Sequence, residues 1–129
     1  VNIKTTKKIT QKIINIASKK KNKNILIIGL AYKKNIEDKR ESASIKIMHK
    51  LVKKGFNVKF MDKLVKNVKI ESKIIKSSNI NYKNLYKFSI IIIGTDHDYI
   101  DYNKLYKYSN FIIDLRSRYK FKDKKILKI

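Results

Sequence analysis

NILIIGLAYKK, Asn24 to Lys34, is the stretch whose reading decides the fold. Ile25 to Ile28 is apolar and mostly β-branched, too short for a helix, and it stops at Gly29. Such a run, Asn24 to Gly29, predicts a strand buried on both faces of a sheet. A second run, Ser89 to Gly94 (SIIIIG), repeats the pattern, and Phe111 to Leu115 (FIIDL) gives another strand. Asn57 to Asp62 (NVKFMD) alternates Val58 and Phe60 with polar neighbours and ends on an acid, so it reads as the second strand in chain order.

Helices fill the gaps. Thr5 to Lys20 sets Ile9, Ile13, Ile16 and Ala17 on one face, with Thr5 or Thr6 as cap, and Lys19 to Asn24 connects it to the first strand. Ser42 caps a helix running to Lys54, with Ile45, Met48, Leu51 and Val52 on one side and Gly55 at its end. Tyr82 to Phe88 and Tyr102 to Tyr108 read as short helices. Lys63 to Ser78 is ambiguous, with extended pieces around Val68 to Ile70, and the tail from Arg116 is polar and unassigned. Strands alternating with helices predict an α/β, Rossmann-like three-layer sandwich with a mainly parallel sheet. The carboxyl ends of its strands then share one edge, where ligands bind in open sheets. That edge carries Leu30 to Glu41, Thr95 to Asp98 and Arg116 to Arg118.

Composition excludes several chemistries. The 129 residues suit one domain, and with no cysteine there is no disulfide, thiolate metal site or cysteine nucleophile. His49 and His97 lack zinc-ligand spacing. The longest apolar run is far short of the roughly 20 residues that span a bilayer, and Val1 to Thr10 lacks a signal-peptide core. The expectation is a soluble, cytoplasmic domain without a membrane partner. The net charge of +23 invites a nucleic-acid reading. Against it, Lys, Ile and Asn make up about half the chain, the signature of A/T-rich codons. Arginine, the usual phosphate and guanine reader, occurs only at positions 40, 116 and 118. Nucleic acid is therefore not the expected partner.

The same scarcity makes the arginines informative. Lys33 follows a strand end and Arg40 precedes a helix start, where cations and free amides favour an anion. Arg116 and Arg118 follow FIIDL, and arginine forks suit a diphosphate. The first loop has one glycine where a dinucleotide fingerprint needs GxGxxG, so this sheet should not bind NAD in the usual crossover. Asp62 stands where a Rossmann fold places its ribose-binding acid, yet without that fingerprint a turn role competes equally. Thr95-Asp96-His97-Asp98 reads better as a polar loop with a capping aspartate than as an acid–base set, and the tyrosines better as packing than as a base-stacking set.

GLAYKKNIEDKRES, Gly29 to Ser42, resembles the signature opening the C-terminal, UDP-binding domain of the UDP-glucose/GDP-mannose dehydrogenase family. The resemblance continues through ASIKIMHKLVKKGFNVKFMD, IIIGTDHDYIDYNKL and FIIDLRSRY, closest to the branch acting on UDP-N-acetylglucosamine or UDP-N-acetylmannosamine. It implies residues 1–22 as the end of the family's connecting helix and 23–129 as the UDP-binding domain. It also implies two NAD-dependent oxidations of a sugar C6 alcohol to a uronic acid, through a thioester, in polysaccharide biosynthesis. The catalytic cysteine and the NAD fingerprint would lie outside this chain. A companion NAD-binding domain and homo-oligomeric assembly are the partners implied. Carried over, Tyr32, Lys33 and Arg116 match residues contacting the UDP-sugar, and Arg40 matches one reaching NAD. Proline, usual after RES and after the acid ending the second strand, is replaced by Ala43 and Lys63, and a Met–Pro pair near the start by about Thr5-Thr6. The alternative readings are a stand-alone nucleotide-binding or regulatory module and a basic nucleic-acid binder.

Overall fold

The computed structural model describes residues 3–31, 34–35, 42–79 and 81–129. The strands are β1 (Asn24–Ile28), β2 (Asn57–Met61), β3 (Asn67–Ile70), β4 (Lys73–Lys76), β5 (Ile90–Ile93), β6 (Ile112–Asp114) and β7 (Ile126–Lys128). The helices are α1 (Ile3–Ser18), α2 (Ala43–Lys53) and α3 (Tyr102–Tyr108), with a 3-10 segment at Tyr82–Lys87. Five strands form one sheet in the order β2-β1-β5-β6-β7, every neighbouring pair parallel. This is the α/β architecture expected from the sequence.

The period-2 geometry of a strand divides the apolar runs between two cores. Ile25, Ile27, Val58, Phe60, Ile90, Ile92 and Ile113 face α1 and α2, meeting Ile13, Ala17, Ile47, Met48 and Leu51. Leu26, Ile28, Met61, Ile91, Ile93 and Ile112 face the 3-10 segment and α3, meeting Leu85, Leu105 and Tyr119. β1 and β5 sit centrally, which is why Ile25 to Ile28 and Ile90 to Ile93 are apolar throughout. β2 is an edge strand and shows the alternation of one. Truncating a central residue such as Ile92, 1 % exposed, to alanine costs about 2–5 kcal/mol.

Helix ends follow local chemistry. Lys23 Nζ donates to the Ser18 and Lys20 carbonyls at 3.1 and 2.6 Å, satisfying the orphan acceptors that close α1. Gly55, at φ +93, ends α2. The Gly55 N–H reaches the Val52 carbonyl at 3.0 Å and the Phe56 N–H reaches Leu51 at 3.1 Å, a Schellman closure. Ser42 Oγ accepts from the Ile45 N–H, as the sequence suggested.

Four local expectations change. Helix α1 begins at Ile3, so Thr5 and Thr6 lie inside it rather than capping it. The ambiguous stretch folds into an antiparallel β3–β4 hairpin whose turn residues, Glu71 and Ser72, both take positive φ. Tyr82–Lys87 is 3-10 rather than α, with Leu85 its buried residue. The unassigned tail supplies β7, pairing Ile112 with Ile126.

Candidate functional site

From β1 the chain runs outward through α2 to β2, then returns past β1 to β5. The direction of winding therefore reverses between β1 and β5. Loops leaving these strands go to opposite faces, one to α2 and the other towards α3. A crevice opens at such a point, on the carboxyl edge of the sheet.

Two glycines let the backbones close at that point. A Cβ on Gly94 would lie 2.7 Å from the Gly29 carbonyl and would collide with the Ser44 side chain in the first turn of α2. A Cβ on Gly29, whose φ is +88, would collide with Thr95. The N-terminus of α2 is thus drawn against the end of β5, and its dipole favours an anion there.

Arg116 projects to the same place. Its Nε donates to the Gly94 carbonyl at 2.8 Å, and its N–H donates to Asp114 Oδ1 at 3.0 Å. Asp114 is fully buried at the end of β6, and its Oδ2 accepts from the Tyr119 N–H at 2.9 Å. The carboxylate folds DLRSRY into a tight turn, with Ser117 at φ +53, and so aims the arginine at the switch point. Arg118 goes elsewhere. Its Nη1 donates to Asp98 Oδ1 at 3.0 Å and to the Asp96 carbonyl at 3.2 Å, and its guanidinium stacks on Tyr102 at 4.2 Å. Arg118 braces the loop after β5. Tyr32, Lys33 and Arg40 lie outside the described residues.

Asp62, at the end of β2, is the turn residue of the two readings. It is 1 % exposed. Its Oδ1 accepts from the Leu64 and Val65 amides at 2.8 and 3.2 Å, and its Oδ2 from the Leu30 and Ala31 amides at 2.9 and 3.1 Å. His97 Nε2 adds a contact at 2.9 Å. Burial alone would raise the carboxyl's pKa, but the bonds from His97, Leu30 and Leu64 outweigh it and hold Asp62 below the usual carboxylate value of 3.8. An acid so committed has no capacity for a ribose. The loop after β1 also has one glycine where a dinucleotide fingerprint needs GxGxxG.

The Thr95–Asp98 stretch forms a loop after β5, and neither of its aspartates is the cap of α3. His97 is fully buried, Thr95 donates to the Ala31 carbonyl, and the helix cap is Asp101, accepting from the Lys104 N–H at 3.0 Å. Of the tyrosines, Tyr102, Tyr106 and Tyr119 form edge-on and tilted ring pairs with one another and with Phe121, whereas Tyr86 is exposed. Lys63, standing where the resemblance leads one to expect proline, uses the N–H that proline lacks, donating to the Tyr99 hydroxyl at 2.8 Å. Burial pushes that hydroxyl's pKa up to about 12. A cleft of about 700 Å³ opens beside it, with Lys63, Lys66, Lys76 and Lys104 in its wall. Lysine is abundant throughout this chain, and Arg116 does not line that cleft.

Among the described residues no group of three His, Asp or Glu side chains could hold a metal ion, and no helix is long and apolar enough to cross a membrane. The UDP-binding domain of the UDP-glucose/GDP-mannose dehydrogenase family matches residues 26–121. The UDP-N-acetyl-D-mannosamine dehydrogenase of Methanocaldococcus jannaschii is 33 % identical over 119 residues, which are 92 % of this chain and 26 % of that protein. A UDP-D-ManNAc dehydrogenase from Pyrococcus horikoshii superposes with a TM-score of 0.69 at 21 % identity, over 97 % of this chain and 30 % of that one. GDP-mannose dehydrogenase from Pseudomonas aeruginosa gives 0.70 at 15 % identity, over 92 % and 30 %. The chain therefore spans under a third of these relatives. A family match over most of the sequence, a relative at one-third identity and a shared sheet place the chain in the UDP-glucose/GDP-mannose dehydrogenase family, within its UDP-binding domain.

Proposed function

We propose that this chain is the substrate-gripping part of an NAD-dependent dehydrogenase that oxidises the C6 alcohol of a UDP-sugar, of the UDP-N-acetylhexosamine type, to a uronic acid. The observation carrying this reading is Arg116, anchored on the Gly94 carbonyl beside the N-terminus of α2. A diphosphate there would meet a guanidinium and a helix dipole together. Tyr32 and Lys33, on the loop leaving β1, complete the grip. Arg40 reaches toward NAD held by a separate domain, which also supplies the catalytic cysteine. NAD would provide the hydride acceptor. This chain's task is to hold the remote end of the substrate, so that binding energy far from C6 orients C6. Residues 1–22 are the end of a connecting helix, docked through Ile13 and Ala17 on the sheet. The full enzyme works as a cytoplasmic homo-oligomer.

Calorimetric titration with UDP tests the pocket. Lys33→Ala and Arg116→Ala should each weaken binding about tenfold, the effect of losing one charge-assisted contact. Binding of UDP no tighter than inorganic phosphate would refute the assignment.

A further inference from the structure

Tyr32 and Lys33 stand between two short stretches of backbone that are held from one buried point. On one side, the Leu30 and Ala31 amides donate to Asp62 Oδ2. On the other, the Asn35 N–H donates to His97 Nδ1 at 2.8 Å. His97 and Asp62 meet at 2.9 Å, both side chains fully buried. Asn35 also pairs with Asp98, donating from Nδ2 to Oδ2 at 2.7 Å and accepting the Asp98 N–H at 3.1 Å. Its φ of +62 is one that asparagine tolerates and that persists where the surroundings impose it.

These bonds fix the proton on the ring. Nδ1 accepts from an amide and so carries no hydrogen; the neutral imidazole then bears its proton on Nε2 and donates it to Asp62. No local sequence pattern marks this role, because the donor lies 62 residues from the ring in the chain.

We propose that His97 is a positioning residue for the UDP-sugar: as the Nε2–H tautomer it joins Asp62 in clamping both ends of the segment that carries Tyr32 and Lys33. The proposal rests on the function given above. His97 is buried and acts through the loop. The described titratable and charged groups around the ring come from every neighbouring element. Asp62 at the end of β2 contacts it, Asp96 and Asp98 flank it, and Tyr99 stacks on it at 5.2 Å. Tyr102 of α3 donates to its carbonyl at 2.7 Å, while Arg118 and Lys34 reach it through Asp98.

Two substitutions separate the ring's nitrogens. The carboxamide of His97→Gln replaces the Nε2 donor to Asp62 and loses the acceptor for Asn35. That of His97→Asn keeps an acceptor near Nδ1 and loses the bond to Asp62. Val68→Ala, in the β3–β4 hairpin, is a stability control. Amide exchange at Asn35 by NMR and UDP affinity by calorimetry are measured on the 129-residue chain. Loss of one such bond should weaken UDP about five- to tenfold in His97→Gln, with Asn35 protection lost. His97→Asn should keep protection and stay within about twofold of wild type, and Val68→Ala should melt lower with UDP affinity unchanged. Wild-type protection or affinity in His97→Gln, or weakened UDP binding in Val68→Ala, overturns the proposal. If wild type does not bind UDP above phosphate, the functional reading fails separately, and Asn35 exchange still decides whether the clamp exists.

Discussion

Asp62 and Asp114 end two strands of the same sheet, are both buried, and both collect amides from the loops they precede. Their reach differs. Asp114 accepts from Arg116 and Tyr119, two and five residues ahead, and shapes one turn. Asp62 accepts locally from Leu64 and Val65, and also from Leu30, Ala31 and His97, which are more than 30 residues away. One carboxylate builds a local turn that aims an arginine. The other joins three loops along the ligand-binding edge. The difference teaches that equal burial and equal chemistry can serve one loop or the whole edge, depending on what the neighbouring strands bring within reach.

The largest expected effect follows. Asp62→Ala strands four amides and a buried imidazole, and should cost about 3–5 kcal/mol, in the range for breaking a buried charged pair. Asp114→Ala strands two amides and should cost about 1–3 kcal/mol. Urea denaturation of both variants measures the gap. Equal losses would show that the long-range bonds add nothing and would break the comparison.

The same contrast explains what could be read in advance. NILII and IIII announce buried strands because nothing polar interrupts them, and Gly55 announces a helix end because only a left-handed residue closes the Schellman turn. Arg116 stands out in the sequence because arginine is rare here and follows a strand; its contact with the Gly94 carbonyl depends on the fold. The hairpin was not, since KIIK of β4 is largely exposed and lacks the alternation of a half-buried strand. β7 was hidden by lysines, and its partner is fixed only once β6 is in place. Asp62's partnership with His97 could not be read, because no local pattern marks residues 35 apart as neighbours.

Acid should sharpen the contrast. The folded-state pKa of Asp62 lies below the unfolded value, so its contribution to stability is full above about pH 4 and is lost as pH falls through the folded pKa. The unfolded chain takes up that proton first, and acid then favours it. Asp62→Asn should show a flatter loss of stability below pH 4 than wild type when urea midpoints are followed against pH. A slope equal to wild type would mean that other carboxylates dominate the acid limb.

The smallest effect concerns the residue after Asp62. Lys63→Pro would restore the family's usual residue and remove the N–H that now donates to the Tyr99 hydroxyl. Proline in a loop stabilises by about 0.4–1 kcal/mol when its N–H is idle, and destabilises when that N–H is bonded. Lys63→Ala keeps the N–H and isolates the side chain, so the difference between the two variants reports the bond itself. Lys63→Pro should unfold about 1 kcal/mol more easily than Lys63→Ala, the net value of one hydrogen bond. Equal urea midpoints would mean that the Tyr99 bond contributes nothing, leaving Asp62 to organise the turn through its carboxylate alone.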